Sequence, residues 1–268
     1  MHLVCCIKQV PDTADVKIDP ETNTLVRAGV ESISNPYDIV AVEQAVQLKE
    51  RYGGRVTVIT MGPPQAQSAL REALSIGADE AILLSDRSFA GADTLATSFT
   101  LAKAIERLHA ELPVDVVLCG KQAIDGDTAQ TGPGIATRLG LTQLTYVIDV
   151  ERVDLDERTI QVRRQIEGGI EVIRGPLPAL LSVELELVAV RRAPLPLLID
   201  SLRAPITVWD AQAIDARADR VGIKGSPTWV RAISSPPAKA GGPRLDAQTD
   251  IPGTVAQALD VVFSDKAF

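Results

Sequence analysis

Short apolar runs alternate with helical segments through the first half of the chain, and this alternation constrains the fold more than any other feature. Leu3–Ile7, Val56–Thr60, Glu80–Leu84 and Val114–Cys119 are brief and continuous, as strands buried on both faces of a parallel sheet are. Between them lie segments with helix signals. Asn35-Pro36-Tyr37-Asp38 opens the first: Asn can accept from first-turn N–H groups, Pro suits the first helical position, and Asp complements the positive helix end. Ile39, Val42 and Val46 recur at helical spacing, and Gly53-Gly54 stops the helix. Further helices are expected over Pro64–Ile76, from Asp93 or Thr94 to about His109, and over Thr128–Leu139. Strand–helix units with short connections predict an α/β fold with a doubly wound, mainly parallel sheet. Ligands of such sheets sit beyond the C-terminal strand ends, where the strand order switches.

The remainder reads differently. Val16–Asp19 and Thr24–Arg27 flank Pro20–Asn23 and predict a hairpin projecting from the sheet. Val147–Val153, Thr159–Arg164 and Glu171–Arg174 read as antiparallel strands, and Ala179–Glu184 as a returning core strand. From Ala193 the chain is rich in Pro, with Trp209 and Trp229 and the run Ser234–Pro243. Such a composition cannot build a core of its own, so it is expected to be disordered or to lie against a partner. Val255–Phe263 has helical spacing. The expected division is an α/β domain over 1–192 and an extended C-terminal arm over 193–268.

Composition excludes several function classes. A net charge of −8 leaves no basic surplus to displace counterions from nucleic acid, and 3% aromatics leave few stacking platforms. Cys5, Cys6 and Cys119 lie on predicted buried strands at spacings that suit no metal, and they read as core thiols. His2 and His109 make no catalytic pair, so no catalytic residue and no metal site is expected. No signal-like segment precedes Leu3 and no apolar run reaches membrane-spanning length, which points to a cytoplasmic protein without a transmembrane segment.

Three loops fall at strand ends: Met61–Pro64, Gly91–Ser98 and Gly120–Pro133. The last follows a buried strand, is rich in small and polar residues, and precedes a helix start, whose free N–H groups favour an anion such as phosphate. Asp125, Asp127 and Thr128 are also ordinary helix-capping types, and capping explains part of the loop's character. Gly120-Lys121 lacks the upstream glycine and following Ser/Thr of a P-loop, and Gly132–Thr137 only superficially matches the dinucleotide glycine pattern.

In order along the chain, Val10-Pro-Asp-Thr13, Asn35-Pro-Tyr-Asp38, Thr60-Met-Gly-Pro63, Leu74–Asp79 and Gly120–Pro133 resemble the motifs of the electron transfer flavoprotein β subunit. The resemblance covers essentially the whole chain. It implies a sheet of the adenine-nucleotide-binding type and a C-terminal arm that embraces an α subunit. It also implies nucleotide contacts from Cys6, the Asn35–Asp38 turn (Asn35, Tyr37, Asp38), Met61, and the Gly120–Thr131 loop, with Gly120, Gln122, Ala123, Asp125, Asp127, Thr128, Gln130 and Thr131.

One branch of the family holds AMP as a structural filler there, and the electron-bifurcating branch holds FAD. Gly91–Ser98, Ile124–Pro133 and Thr60–Pro64 look like the bifurcating branch. AMP ends at its phosphate, whereas an isoalloxazine needs donors and small residues around it. Thr94, Thr97 and Ser98 are candidate donors, and Asp93 a candidate cap for the helix aimed at the ring. The resemblance then implies a subunit that accepts hydride from NADH and splits electrons between a flavin in the α subunit and a low-potential ferredoxin or flavodoxin. The alternative is an AMP-holding shuttle that passes electrons from an acyl-CoA dehydrogenase to a quinone reductase. A non-redox adenylate-binding protein is a second alternative, although Lys8–Asp12 follows the first strand where a Gly/Ser-rich loop is expected. A structural subunit without a ligand is a third.

The chain departs from the family pattern in two places. Leu197–Pro205 has no lysine cluster after Arg191–Pro196, a region implicated in docking the dehydrogenase, although Leu195 remains as an apolar anchor. Thr13 stands where some relatives carry an aromatic facing the partner's flavin.

Overall fold

The computed structural model describes residues 1–12, 17–18, 25–26, 32–230, 245–246 and 250–264. The chain opens with β1 (His2–Cys6) and β2 (Gln9–Pro11), followed by β3 (Lys17–Ile18), β4 (Leu25–Val26) and β5 (Ser32–Ser34). β3 and β4 pair antiparallel, as the expected hairpin requires, while its turn, Pro20–Asn23, lies outside the described residues. Then come α1 (Pro36–Tyr52), β6 (Arg55–Met61), α2 (Gln67–Ile76), β7 (Glu80–Leu84), α3 (Thr94–Glu111), β8 (Val116–Gly120) and α4 (Thr131–Leu139). A 3₁₀ turn over Pro64–Ala66 precedes α2, so the helix expected from Pro64 starts as a tighter coil. The second half contributes β9 (Thr142–Asp154), β10 (Thr159–Ile166), β11 (Gly169–Pro176), β12 (Ala179–Val183), α5 (Leu195–Arg203), β13 (Thr207–Trp209) and α6 (Ile251–Ser264).

The central sheet orders its strands β11-β10-β9-β12-β8-β1-β6-β7-β13. Neighbours from β9 to β13 run parallel, and β10 and β11 add antiparallel at one edge. After β1 the chain builds outward through β6 and β7, then returns through α3 to place β8 on the other side of β1. The strand order therefore reverses between β1 and β8, and the crevice beyond their C-terminal ends is the expected ligand position.

Strand pleat divides the core in two. Leu3, Cys5, Val58, Leu83 and Leu118 face α1 and α2, whereas Val4, Cys6, Ile59, Ile82 and Cys119 face α3 and α4. Adjacent Cys5 and Cys6 thus enter opposite cores. Both are buried, and burial pushes all three cysteine thiols well above their ordinary range, as core thiols require.

The Pro-rich stretch after Ala193 differs from the expected arm. Through Ser226 it lies against the chain's own helices, loops and sheet edge rather than standing free. Arg71 of α2 donates to the Ser201 and Ala204 carbonyls, which seats α5. β13 extends the sheet beside β7, and Trp209, Ile214 and Val221 are buried in the α3 and α4 core. Isolated apolar residues that could not form a core alone are instead supplied with one by the sheet edge. Contacts accordingly divide the chain into Met1–Ile233 and Ser234–Phe268, not at residue 192. Ser234–Pro243 lies outside the described residues. In the second unit, α6 carries Ile251, Val255, Leu259 and Val262 at helical spacing. Among the described residues, no helix is long and apolar enough to cross a membrane.

Candidate functional site

The strand-order reversal brings four of the predicted segments together. Asp38, in the first turn of α1, is buried and accepts the Lys8 N–H at 2.8 Å and the Gly120 N–H at 2.9 Å. One carboxyl therefore ties the ends of β1 and β8. Burial pushes it up to about 7, against the Asn35 side chain and the two amide donors.

Asn35 does not cap α1 as expected. Its side chain donates to the Gln122 carbonyl at 2.9 Å and accepts from the Ile124 N–H at 3.2 Å, while its own N–H donates to Lys8 O. The amide is consumed in fixing the loop after β8, leaving the first turn of α1 without a side-chain cap. Tyr37 is half-buried beside it. A Cβ on Gly120 would lie 2.4 Å from Tyr37 Cβ and 2.6 Å from Asp38 Oδ1, so glycine is required there for helix–strand contact.

The loop itself is not a helix start. α4 begins at Thr131 rather than Thr128, and its N-cap, Gln130, makes no side-chain cap bond. Asp125, Asp127 and Thr128 do not cap it. Asp125 pairs with Lys8 Nζ at 2.7 Å, and Asp127 accepts from Gln122 Nε2 at 2.8 Å. The Ala123 carbonyl closes a turn by accepting from Gly126 and Asp127. Thr128 is exposed. Asp127 and Ala129 hold left-handed backbone angles, φ +49 and +51. That conformation disfavours Ala in particular, and such strain concentrates at binding sites. The first turn of α4 is thus free of any side-chain cap beside a preformed polar loop, the arrangement that receives a phosphate.

The second wall is formed by the α3 N-terminus. Asp93 caps α3, accepting from the Ala96 N–H at 3.0 Å. Thr94 Oγ1 donates to Gln130 Oε1 at 3.1 Å and so bridges the two loops. The Thr97 hydroxyl has no hydrogen-bond partner among the described residues. Ser98 is placed differently from its neighbours: it is buried, donates to the Leu95 carbonyl, and lies where a Cβ on Gly134 would approach to 2.8 Å. Its position serves the close packing of α3 on α4. Cys6 is buried, and Met61 packs partly buried against the same core.

Several residues at the site carry no signal in the sequence. Lys121 pairs with the buried Glu184 at 2.9 Å and sits over the rings of Tyr37 and Tyr146. Burial works to lower it, but the Glu184 carboxylate prevails and holds the ammonium above its ordinary range. Tyr146 adopts φ +58 where the β9–β12 register shifts, a bulge at the sheet rim. The pairing fastens the start of the loop to β12. Lys8, directly after β1, pairs with Asp125 of the loop and is likewise not singled out by the sequence.

Among the described residues no cluster of His, Cys, Asp and Glu could hold a metal ion. The site offers backbone donors, hydroxyls and small residues rather than an acid–base pair, which suits holding a cofactor more than performing proton chemistry.

Comparison with known proteins identifies the family of the chain. Residues 22–214 match the electron transfer flavoprotein domain. The chain is 48% identical to Protein FixA of Bradyrhizobium diazoefficiens over 268 residues, covering 98% of this chain and 91% of the relative. It is 49% identical to the electron transfer flavoprotein subunit beta of Clostridium acetobutylicum over 246 residues, 92% of each chain. To the caffeyl-CoA reductase-Etf complex subunit CarD of Acetobacterium woodii it is 47% identical over 262 residues, 97% of this chain and 98% of the relative. The chain belongs to the electron transfer flavoprotein family, as a β subunit whose partner is an α subunit.

Proposed function

We propose that this β subunit binds FAD between its two strand-end loops and takes part in electron bifurcation. In this reading NADH delivers hydride there, and electrons leave both to a flavin in the α subunit and to a low-potential ferredoxin or flavodoxin. The observation that carries the reading is the Thr94–Gln130 hydrogen bond, which makes the Gly120 loop and the α3 N-terminus one continuous site. AMP needs only the first loop and its uncapped helix start. A second wall with a Thr97 hydroxyl that has no partner among the described residues suits a ligand that continues beyond the adenylate.

The residues fit FAD in distinct roles. The α4 first turn and the Asn35-fastened loop would hold phosphate, and Thr94 and Thr97 would donate to the ring-bearing half. Cys6 and Met61 would supply apolar contact. Bound FAD would supply the hydride acceptance and one-electron transfer that no side chain here provides. The 47% identical relative named as a subunit of the caffeyl-CoA reductase-Etf complex supports a place in such an assembly. We further propose that the unit Ser234–Phe268 engages the α subunit through the apolar stripe of α6, and that the protein works in the cytoplasm.

Acid extraction and chromatography of the purified heterodimer test the reading. Two FAD per heterodimer are expected. One FAD and one AMP would replace it with the AMP-holding shuttle that serves an acyl-CoA dehydrogenase.

A further inference from the structure

The cap of α3 has a second attachment that capping does not require. Asp93 Oδ1 accepts from the Ala96 N–H, which satisfies one free donor of the helix start. Its other oxygen accepts from the Thr228 hydroxyl at 2.8 Å and the Thr228 N–H at 3.1 Å. The Asp93 N–H donates to Ser226 Oγ at 2.8 Å, and that hydroxyl donates onward to the Gly222 carbonyl at 2.7 Å. Burial works to raise Asp93, but the Ala96 and Thr228 donors together hold its carboxyl below the usual carboxylate range.

The strap that carries Ser226 and Thr228 is seated on the loop before α3 at close range. Ile223 N–H donates to the Ala90 carbonyl at 3.2 Å. Gly91 and Gly222 both have positive φ, +71 and +54. A Cβ on Gly91 would lie 2.5 Å from Ile223 Cγ1, and one on Gly222 would lie 2.0 Å from the Ser88 carbonyl oxygen. Two glycines are thus needed for this strap to lie flat on this loop.

Apolar burial does not account for the seating at its far end. Val221 and Gly222 are buried, but Ile223 is 67% exposed and Trp229 is 73% exposed. Beyond Gly222 the strap is held mainly by polar bonds, and those at Ser226 and Thr228 converge on Asp93. Thr228 fixes its side chain through Oδ2 and Ser226 holds its backbone N–H, and together they fix the first turn of α3. Thr94, the first residue of that turn, makes the bond to Gln130. A chain of contacts therefore runs from Thr228 and Ser226 through Asp93 and Thr94 to the Gly120 loop.

We infer that Ser226 and Thr228 are positioning residues for the flavin half of the site, acting through Asp93. The inference rests on the FAD reading above and deepens it. The α3 first turn is the wall an AMP moiety does not reach, so loosening the strap alters recognition of FAD and spares recognition of AMP. A role confined to holding the fold together would weaken both ligands alike.

The test uses the purified full chain with Ser226→Ala and Thr228→Val combined, and Thr228→Ser as the conservative control. FAD is titrated by quenching of its fluorescence, and AMP by equilibrium dialysis. Losing the two side-chain hydrogen bonds to Asp93 is expected to weaken FAD about tenfold, with AMP affinity within about twofold of the unsubstituted chain and Thr228→Ser near normal. Unchanged FAD affinity, or an equal loss for both nucleotides, overturns the inference while leaving the FAD reading in place. An unsubstituted chain that binds AMP but not FAD overturns the reading and the inference with it.

Discussion

The Asp38 carboxylate accepts the Gly120 amide at 2.9 Å, which fastens the first turn of α1 to the end of β8 with no room for a side chain between them. Gly120→Ala places a methyl group against Tyr37 Cβ and the same carboxylate. Backbone has to move to accept it, because the nearest atoms belong to the helix start rather than to a flexible side-chain end. Overpacking of this kind costs about 1–3 kcal/mol, to which the loss of the Asp38 bond adds about 1 kcal/mol. Urea unfolding should show a lower midpoint with an unchanged slope, and nucleotide retention should fall with it.

Asp38 also gives the ligand-free protein a pH-dependent stability. Its folded-state value near 7 lies above the ordinary carboxylate range, so the folded chain holds a proton that the unfolded chain releases near pH 4. This contribution is complete below about pH 4 and is lost as the pH rises toward 7. Its size is of order a few kcal/mol, at about 1.4 kcal/mol for each unit of displacement. Asp38→Asn should flatten that part of the profile. It should also lower stability by about 1–3 kcal/mol throughout, because one amide N–H then faces an NH₂ group instead of an acceptor. Chemical unfolding from pH 4 to 8 measures both effects, and a profile as steep as that of the unsubstituted chain would assign the proton to another group.

Arg191 closes over a buried acid. Its guanidinium pairs with Glu43, whose side chain is 2% exposed, at 2.8 Å, and with the exposed Glu50 at 2.6 Å. The Glu50 pair is worth little by itself. Glu43 is different, since removing the guanidinium leaves a desolvated carboxylate without its charge partner, with only the Gln47 amide and the residue 191 N–H as donors among the described residues. Arg191→Ala should cost about 3 kcal/mol, toward the lower end for broken buried pairs because the arginine is partly exposed. Arg191→Ala with Glu43→Gln should recover most of that, measured by urea unfolding.

Strands and helix spacing were legible because each depends on residues close in sequence. Glu80–Leu84 is a strand over the expected residues, and Asp93 caps α3 as its residue type suggests. Asn35 shows why the rest was not. Its local chemistry favours a cap, but its partners are Gln122 and Ile124, 87 and 89 residues away, and the tertiary bonds prevailed. The loop after β8 misleads for a related reason: Asp127 and Thr128 are capping types, yet left-handed turns at Asp127 and Ala129 delay the helix to Thr131. The Pro-rich stretch with Trp209 reads as unable to build a core because the core that Trp209, Ile214 and Val221 join is supplied by residues far upstream. The Lys121–Glu184 pair and the attachment of Thr228 to Asp93 are likewise contacts that no spacing rule encodes.

The three thiols should be silent in the folded protein. Cys5, Cys6 and Cys119 are at most 7% exposed, and burial raises each well above its ordinary range. A thiolate is the reactive form, so both access and ionisation oppose modification. A chromogenic disulfide reagent at pH 8 should label none rapidly in the native chain and all three after unfolding. Fast labelling of Cys6 or Cys119 would show that the α3 and α4 side of the site opens in solution.

The bridge between the two walls can be cut without touching the phosphate loop. Asp93→Ala removes the α3 cap and the anchor of the strap, and Thr94→Val removes the donor to Gln130. Loss of a cap costs about 1 kcal/mol of helix stability, which the long α3, with one face buried, tolerates. The two changes together should leave the heterodimer folded and the flavin of the α subunit in place, while FAD associated with the β chain falls severalfold. Flavin stoichiometry after gel filtration measures the loss, and the rate of bleaching by NADH reports whether the remaining flavin is still reduced. Full stoichiometry with an unchanged NADH reaction would move the ring away from α3 and leave the Gly120 loop as the whole of the nucleotide site.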